Sequence, residues 1–177
     1  DDVLLIGYVG NMTAQKRPGT FVDAAAILSM KLSGSTHFLM YGDDRGGQLN
    51  EVRSRAAASG ISGQVHFMGY RSPIEPHIAA LDVLLAPGVG DGFGRTLVEA
   101  MMVGTPVVAS ASGGHLEVIQ DGVTGVLIPG DSAAALASAA QALLLDGVAR
   151  QSMVARAQRY ARETFGVTRH AEAVMSV

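Results

Sequence analysis

The chain has 177 residues, of which 48% are hydrophobic and 16% are charged, and its formal net charge is −3. This length suits one domain of ordinary size with a sizeable core, and the apolar content argues against a disordered chain. The negative net charge excludes an overall electrostatic attraction to nucleic acid or to an anionic membrane surface, so an anionic ligand requires a local site.

Short apolar runs alternate with segments of helical period along the chain. The first helical segment has an apolar stripe at Phe21, Ala25, Leu28 and Leu32, and Pro18 suits its first turn. Buried strands alternating with helices indicate a parallel sheet covered on both faces. The sequence therefore predicts an α/β, Rossmann-like, doubly wound, mainly parallel six-stranded sheet with a helical C-terminal tail. The six predicted strands are residues 3–6, 37–41, 65–68, 83–86, 107–109 and 126–128.

The chain shows no internal boundary. No repeat, low-complexity stretch or Pro/Ser-rich linker divides it, so residues 1–177 are predicted to form a single domain. It begins with Asp1 directly before a predicted strand, which we interpret as the start of a fragment cut at a linker. In such sheets ligands bind beyond the carboxyl ends of the strands. The loops that follow the strands, at 7–18, 42–47, 69–73, 87–95 and 110–115, are therefore the candidate site.

The most informative loop is the Gly-rich segment 87–95, which links a buried strand to a helix. Its four glycines allow backbone amides to approach a ligand, and the helix start offers unpaired N–H groups to a phosphate. A tight strand-to-helix turn is the alternative for the glycines alone. Asp91 and Glu99 favour a ligand site, because an unpaired carboxylate on an apolar helix is costly unless it meets a hydroxyl or a cation. Ribose hydroxyls would satisfy this requirement.

The segment 91–109, DGFGRTLVEAMMVGTPVVA, resembles the E-x7-E signature of family-four glycosyltransferases. That family includes sucrose synthases, sucrose-phosphate synthases and many bacterial mannosyl- and glucosyltransferases. In it the second Glu binds the ribose hydroxyls of the donor, and the first Glu contacts the sugar ring. The resemblance implies these roles for Glu99 and for Asp91, which is an Asp where the family has Glu.

A second match, at residues 7–18, is similar to the G-R-x4-K loop in which Arg and Lys of this family hold the diphosphate. Lys16 aligns with the Lys, Asn11 stands where Arg is usual, and Arg17 is a candidate replacement for it. Without the resemblance, Lys16 and Arg17 read as a solvated pair of cations. With it, Lys16 is predicted to contact phosphate through a charge-assisted hydrogen bond.

Weaker landmarks of the same family follow in the expected order, at residues 41–44, 65–71, 112–119 and 121–125. The resemblance places the base near Tyr70 and Arg71, for which an ordinary exposed turn is the alternative. Asp91, Glu99 and Lys16 are the candidate catalytic residues. The residues implied in donor binding are Gly10, Asn11, Lys16, Arg17, Tyr70, Arg71, Gly92, Phe93, Gly94, Arg95, Thr96 and Glu99.

Other kinds of site are not supported. The five His residues form no i, i+4 pair and there is no Cys, so no metal site is predicted. His115 is interpreted as a surface His in a Gly turn, with ligand contact as the alternative, and Asp43 and Asp44 are interpreted as helix-capping groups. The sequence lacks a G-x-S-x-G elbow, a P-loop lysine motif and a G-x-G-x-x-G motif, which disfavours hydrolase, kinase-like and dinucleotide oxidoreductase functions.

The resemblance implies a retaining hexosyl transfer from a nucleoside-diphosphate sugar, without a required metal or other cofactor. It makes this chain the donor-binding half of a GT-B fold, inactive alone and lacking an N-terminal acceptor domain that would carry any membrane association. A non-catalytic nucleotide-sugar-binding module and a nucleotide-sugar epimerase are the alternatives. No apolar run approaches the roughly 20 residues that span a bilayer, and the lack of Cys suits the predicted cytoplasmic location.

Overall fold

Six strands form one sheet in the computed structural model, which describes residues 3–90 and 92–166. The strand order is β3-β2-β1-β4-β5-β6, and each of these pairs is parallel. The predicted α/β sheet is therefore confirmed. The strands are β1 (Leu4–Val9), β2 (Thr36–Tyr41), β3 (Val65–Gly69), β4 (Val83–Ala86), β5 (Val107–Ser110) and β6 (Val126–Ile128).

Helices connect the strands and follow the last of them. Pro18 occupies the first turn of α1, as predicted, because its missing N–H has no intrahelical partner at that position. The helix ends at Lys31, one residue before the predicted stripe ends. The helices are α1 (Pro18–Lys31), α2 (Leu49–Ala58), α3 (Glu75–Ala79), α4 (Arg95–Val103), α5 (His115–Val118), α6 (Ala133–Leu145) and α7 (Gly147–Phe165).

The sheet has a hydrophobic core on each face. Helices α1, α2 and α6 cover one face, where the rings of Tyr8 and Phe21 lie 5.5 Å apart. Helices α3, α4, α5 and α7 cover the other face, where Leu97 and Met101 of α4 are fully buried against β4 and β5. Burial on both faces explains why the strands read as continuous apolar runs without polar alternation.

The strand order places a switch point between β1 and β4. The chain leaves β1 for α1 on one face of the sheet and leaves β4 for α4 on the other. Because neighbouring connections run in opposite directions here, their loops separate and leave a crevice beyond the carboxyl ends of the strands. This crevice is where the fold positions a ligand.

Candidate functional site

The loops after β1, β2 and β3 are joined edge to edge by backbone hydrogen bonds. The N–H of Gly10 donates to the carbonyl of Tyr41 at 2.9 Å, and the N–H of Gly42 donates to that of Gly69 at 3.0 Å. Gly42 has a φ of 136°, and a methyl group there would lie 2.1 Å from the carbonyl oxygen of Gly10. Only glycine permits this close approach. Gly42 therefore determines how near the loop after β2 lies to the loop after β1.

The loops after β4 and β5 continue the same rim. The N–H of Val89 donates to the carbonyl of Gln15 at 2.9 Å, and the Gln15 side chain donates to the carbonyl of Gly90. The N–H of Gly90 in turn donates to Oγ of Ser112 at 2.9 Å. These contacts hold the β1 loop against the Gly-rich loop and the Gly-rich loop against the loop after β5.

Two adjoining cavities occupy the crevice, and we call them together the cleft. The β4 cavity, of about 340 Å³, lies over the end of β4 and the start of α4. The β3 cavity, of about 480 Å³, lies between the loops after β1, β2 and β3 and the side of α4. Both cavities are lined by Val9, Lys16, Arg95 and Thr96, which form their shared wall.

The start of α4 points into the shared wall. Gly94, the N-cap of this helix, has a φ of 69° and forms no side-chain capping bond. The first N–H groups of a helix have no intrahelical partner and carry a partial positive charge. The residues of the Gly-rich loop that line the β4 cavity, Gly92, Phe93 and Gly94, therefore lead into a favourable position for an anion.

Lys16 and Arg17 are adjacent in sequence but serve different parts of the surface. The Lys16 side chain passes over Gly10, where a methyl group would lie 3.4 Å from its Cδ, and it lines both cavities. Arg17 has a φ of 50° and pairs with Asp131 beside the start of α6. This hydrogen-bonded pairing lowers the pKa of Asp131, because the guanidinium favours the ionised carboxylate. The structure thus brings Lys16 into the cleft and leaves Arg17 outside it.

Glu99 lies about one turn into α4, half-buried, and lines the β3 cavity. Within the part of the chain that the structure describes, its carboxylate forms no hydrogen bond or ion pair. Burial raises its pKa, the nearby Glu75 raises it further, and Arg95 partly opposes both. A carboxylate held in this way is poised to accept hydrogen bonds from a ligand.

The other predicted residues on the β3 side also reach the cleft. Oδ1 of Asn11 accepts the N–H of Asp43 at 3.2 Å, so Asn11 ties two loops together while lining the β3 cavity. Tyr70 and Arg71 line the same cavity and are exposed, and the Arg71 guanidinium donates to the Tyr70 carbonyl at 2.9 Å. Their side chains are accessible to a ligand.

On the β4 side the Gly-rich loop packs against the end of α7. Phe93 remains 49% exposed, and its ring meets that of Phe165 edge-on, with 5.4 Å between the ring centroids. Asp91 lies outside the described residues, so its predicted sugar contact stays a prediction.

His115 corrects the sequence interpretation, which placed it on the surface. The side chain is only 1% exposed, lines the β4 cavity and has Nδ1 at 2.9 Å from the carbonyl oxygen of Ser110. The preceding Gly114 packs so closely that a methyl group there would lie 2.0 Å from the carbonyl oxygen of Gly92. The Gly-Gly pair therefore marks a tight approach between two loops, which buries the next residue, and it does not mark an exposed turn.

The described ranges offer neither a metal site nor a membrane span. No group of three or more His, Asp or Glu side chains there is placed to hold a metal ion. No helix there has the length and apolar character needed to cross a membrane. Of the two predicted capping carboxylates, Asp44 accepts the N–H groups of Gln48 and Leu49 at 2.8 and 3.2 Å, at the start of α2.

Comparison with known proteins identifies relatives along most of the chain. The family model "Glycosyl transferases group 1" matches residues 4–146. A D-inositol 3-phosphate glycosyltransferase of Salinispora tropica is 33% identical over 89% of this chain and 34% of its own length. The lipopolysaccharide core biosynthesis mannosyltransferase LpsB of Rhizobium meliloti is 29% identical over 97% of this chain and 50% of its own length. The chain thus spans between a third and a half of these relatives.

Solved structures show the same fold. Anabaena HepE, crystallised in complex with UDP-glucose, superposes with a TM-score of 0.89 at 27% identity, over 99% of this chain and 50% of HepE. Sucrose-phosphate synthase of Thermosynechococcus elongatus superposes with a TM-score of 0.89 at 26% identity, over 99% of this chain and 44% of that structure. The predicted fold, one Rossmann-like half of GT-B, is confirmed.

Proposed function

Because this chain belongs to the glycosyl transferases group 1 family, we propose that its cleft binds a nucleoside-diphosphate sugar, the donor of a hexosyl group. One observation carries the proposal. The cleft joins Lys16 and the uncapped start of α4 in its shared wall to the half-buried Glu99 carboxylate in the β3 cavity. A cationic anion site beside a hydroxyl acceptor matches the diphosphate and ribose of such a donor.

The diphosphate lies against the shared wall. Lys16 supplies a cation there, and the first N–H groups of α4 supply fixed donors with a partial positive charge. Arg95 and Thr96 add a second cation and a hydroxyl on the same wall. Asn11 leaves the position of the usual family Arg uncharged, which makes Lys16 the main side-chain contact to the phosphates.

The ribose and base extend from this wall into the β3 cavity. Glu99 accepts hydrogen bonds from ribose hydroxyls, which compensates for the contact with water that burial restricts at this carboxylate. Beyond it, the loop that carries Tyr70 and Arg71 contacts the base. The structure of HepE with UDP-glucose, in a protein of the same fold, supports a nucleotide sugar as the ligand class.

The sugar extends in the other direction, into the β4 cavity. This cavity is lined by Gly92, Phe93 and Gly94, which follow Asp91 in the chain. Asp91 acts as a clamp on sugar hydroxyls in this proposal. We assign it no covalent role, because a front-face transfer needs no second in-line carboxylate.

Transfer breaks the bond between the anomeric carbon and the phosphate oxygen, and the electron pair leaves with the diphosphate. Lys16 and the α4 amides stabilise the charge that develops there, which lowers the barrier. The acceptor hydroxyl bonds to the anomeric carbon on the face that the diphosphate leaves, so the configuration is retained. Its proton passes to the departing phosphate, and no metal ion is required in this scheme.

This chain spans no more than half of the length of the relatives named above. In this proposal the acceptor site belongs to an N-terminal domain outside this chain. Residues 1–177 form the donor domain, the reaction takes place in the cytoplasm, and any membrane association resides in the other domain. Alone, the donor domain binds its ligand without turnover, because it neither orients an acceptor nor excludes water from the reacting bond.

Titration calorimetry of the chain with UDP, GDP, ADP and their hexose conjugates tests the donor site. We expect the nucleotides of one base to bind. Failure of every nucleotide to bind would contradict the proposal. Release of nucleoside diphosphate is then followed with sugar and lipid acceptors present. Sustained acceptor-dependent release by this chain alone would refute the half-enzyme proposal, whereas conversion of the donor into its epimer would favour an epimerase.

A further inference from the structure

Tyr41 is the last residue of β2, at the base end of the cleft, and the proposed function gives its side chain no role. The residue is only 3% exposed, and its ring centroid lies 5.3 Å from that of His77 on α3. It lines the β3 cavity together with Tyr70 and Arg71. The fold therefore holds this ring at the wall of the cavity that the proposed function assigns to the base.

The hydroxyl group of Tyr41 is open to a ligand. Within residues 3–90 and 92–166 its oxygen forms no hydrogen bond, and it is not one of the fully enclosed polar atoms that lack a partner there. Because the rest of the residue is buried, the hydroxyl meets open space where Tyr41 lines the β3 cavity. The cavity wall thus carries a polar atom whose hydrogen-bonding capacity the described chain does not use.

The charge around Tyr41 favours a donor role for this hydroxyl. Burial raises the pKa of the phenol and the nearby Arg71 guanidinium partly opposes the increase, so the hydroxyl keeps its proton at neutral pH. A hydroxyl hydrogen rotates to suit its surroundings, and a neighbouring cation attracts the oxygen end of the O–H dipole. The hydrogen of Tyr41 is therefore directed away from Arg71 and is available to an acceptor.

Arg71 adds further donors to the same wall. One of its N–H groups donates to the Tyr70 carbonyl at 2.9 Å, and in the described chain the others have no hydrogen-bond partner. A guanidinium group never accepts a hydrogen bond. Neighbouring donors fit a base edge that carries an oxo group. Uracil presents O4 and guanine presents O6 beside N7, whereas adenine presents the amino group at N6, which is a donor.

We propose that the Tyr41 hydroxyl donates a hydrogen bond to an oxo group of the base, which makes Tyr41 a specificity-determining residue for uracil or guanine against adenine. The inference rests on the proposed function, because it requires the base in the β3 cavity. Adenine would place its amino donor against the donors of Tyr41 and Arg71. A site built to hydrogen-bond one group discriminates strongly against an analogue that lacks it.

Tyr41→Phe is the sharpest test, because it removes one oxygen atom without a partner in the described chain and keeps the buried ring. The parent and the variant are titrated with UDP, GDP, ADP and ribose 5-diphosphate, which has no base. We expect the parent to bind UDP or GDP in preference to ADP, and the variant to bind that nucleotide about two- to tenfold more weakly. Ribose 5-diphosphate should compete equally well for both chains.

Tyr160→Phe is the matched control, because it removes the hydroxyl of a tyrosine on α7 that does not line the cleft. This variant should bind every ligand as the parent does. A preference of the parent for ADP, an unchanged affinity in Tyr41→Phe, or an equal loss for ribose 5-diphosphate would overturn the inference. If the parent binds none of the nucleotides, the proposed function fails first, whereas nucleotide binding that Tyr41→Phe does not weaken defeats the present inference alone.

A measurement on the parent covers the case in which Tyr41→Phe fails to fold. The ¹³Cζ resonance of Tyr41 is followed by NMR during titration with the nucleotide that binds and with ribose 5-diphosphate. We expect the resonance to move with the nucleotide and to stay in place with ribose 5-diphosphate. An unchanged resonance with the nucleotide, or an equal movement with both ligands, would contradict a hydrogen bond to the base.

Discussion

Replacing Glu99 with Gln has two opposite expected consequences, one for the ligand and one for the fold. The carboxylate accepts ribose hydroxyls in the proposed complex, and hydrogen bonds to a charged group contribute about 1.5–3 kcal/mol. The Gln amide keeps one neutral acceptor and loses the charge. A charged acceptor contributes about 1–1.5 kcal/mol more than a neutral one, so we expect nucleotide affinity to fall by about five- to twelvefold, measured by titration calorimetry.

The unliganded fold should become more stable in the same variant. Burial raises the pKa of Glu99 above its ordinary 4.5, so ionisation of this side chain opposes folding. A raised carboxyl pKa contributes stability below the unfolded value, and this contribution is lost as the pH rises through the folded value. Glu99→Gln removes the charge, and its melting temperature at pH 7 should exceed that of the parent.

The pH dependence of binding follows from the same pKa. Ribose hydroxyls bind the ionised carboxylate, so affinity should fall as the pH drops through the raised pKa of Glu99, and this dependence should vanish in Glu99→Gln. Glu51→Gln is the matched control, because Glu51 pairs with Arg55 on α2 and lies outside the cleft. Equal affinity of the parent and Glu99→Gln would refute the assignment. The assignment would also fail if the variant were less stable than the parent and its loss of affinity were explained entirely by its unfolded fraction.

Three further changes separate the contributions to the site. Lys16→Ala should weaken a nucleoside diphosphate by about tenfold or more in calorimetry and leave the bare nucleoside unaffected, whereas an equal loss for both would indicate a damaged fold. Arg17→Gln should lower the melting temperature, because it breaks the pair with Asp131, and it should leave nucleotide affinity unchanged. A loss of affinity would indicate that Arg17 contacts the phosphates. Gly114→Ala should displace the Gly-rich loop and weaken binding, while Gly63→Ala, with open space around it, should not, and unchanged binding in both would contradict the close loop packing.

The sequence predicted the fold well because its signals are local. The central strands β4 and β5 are runs of apolar residues buried on both faces, and Pro18 marks the first turn of α1 where its missing N–H has no effect. Once the strand order is known, it follows that motifs far apart in the sequence lie at the same edge of the sheet. Lys16 and Glu99 line the same cleft because β1 and β4 are neighbours at the switch point.

Side-chain directions within the site were less predictable. Arg17 follows Lys16 directly, yet its left-handed backbone and the carboxylate of Asp131, more than a hundred residues later, hold it away from the cleft. Glycines usually signal exposed turns, so the sequence alone favours a surface position for His115. Its burial depends on the approach of Gly114 to Gly92, a contact between two loops that no local pattern encodes.

The central claim is that a nucleoside-diphosphate sugar binds at the switch point between β1 and β4. Backbone amide NMR of the ¹⁵N-labelled chain, titrated with the nucleotide sugar that calorimetry selects, tests it directly at a mass of 18.3 kDa. We predict that the largest shifts occur at Gly10, at Lys16 and along residues 92–96, with smaller shifts at Tyr70 and Arg71. A separate cavity outside the cleft is lined by Arg17 and Arg55. Shifts confined to that cavity, or shifts distributed evenly over the chain, would contradict the account.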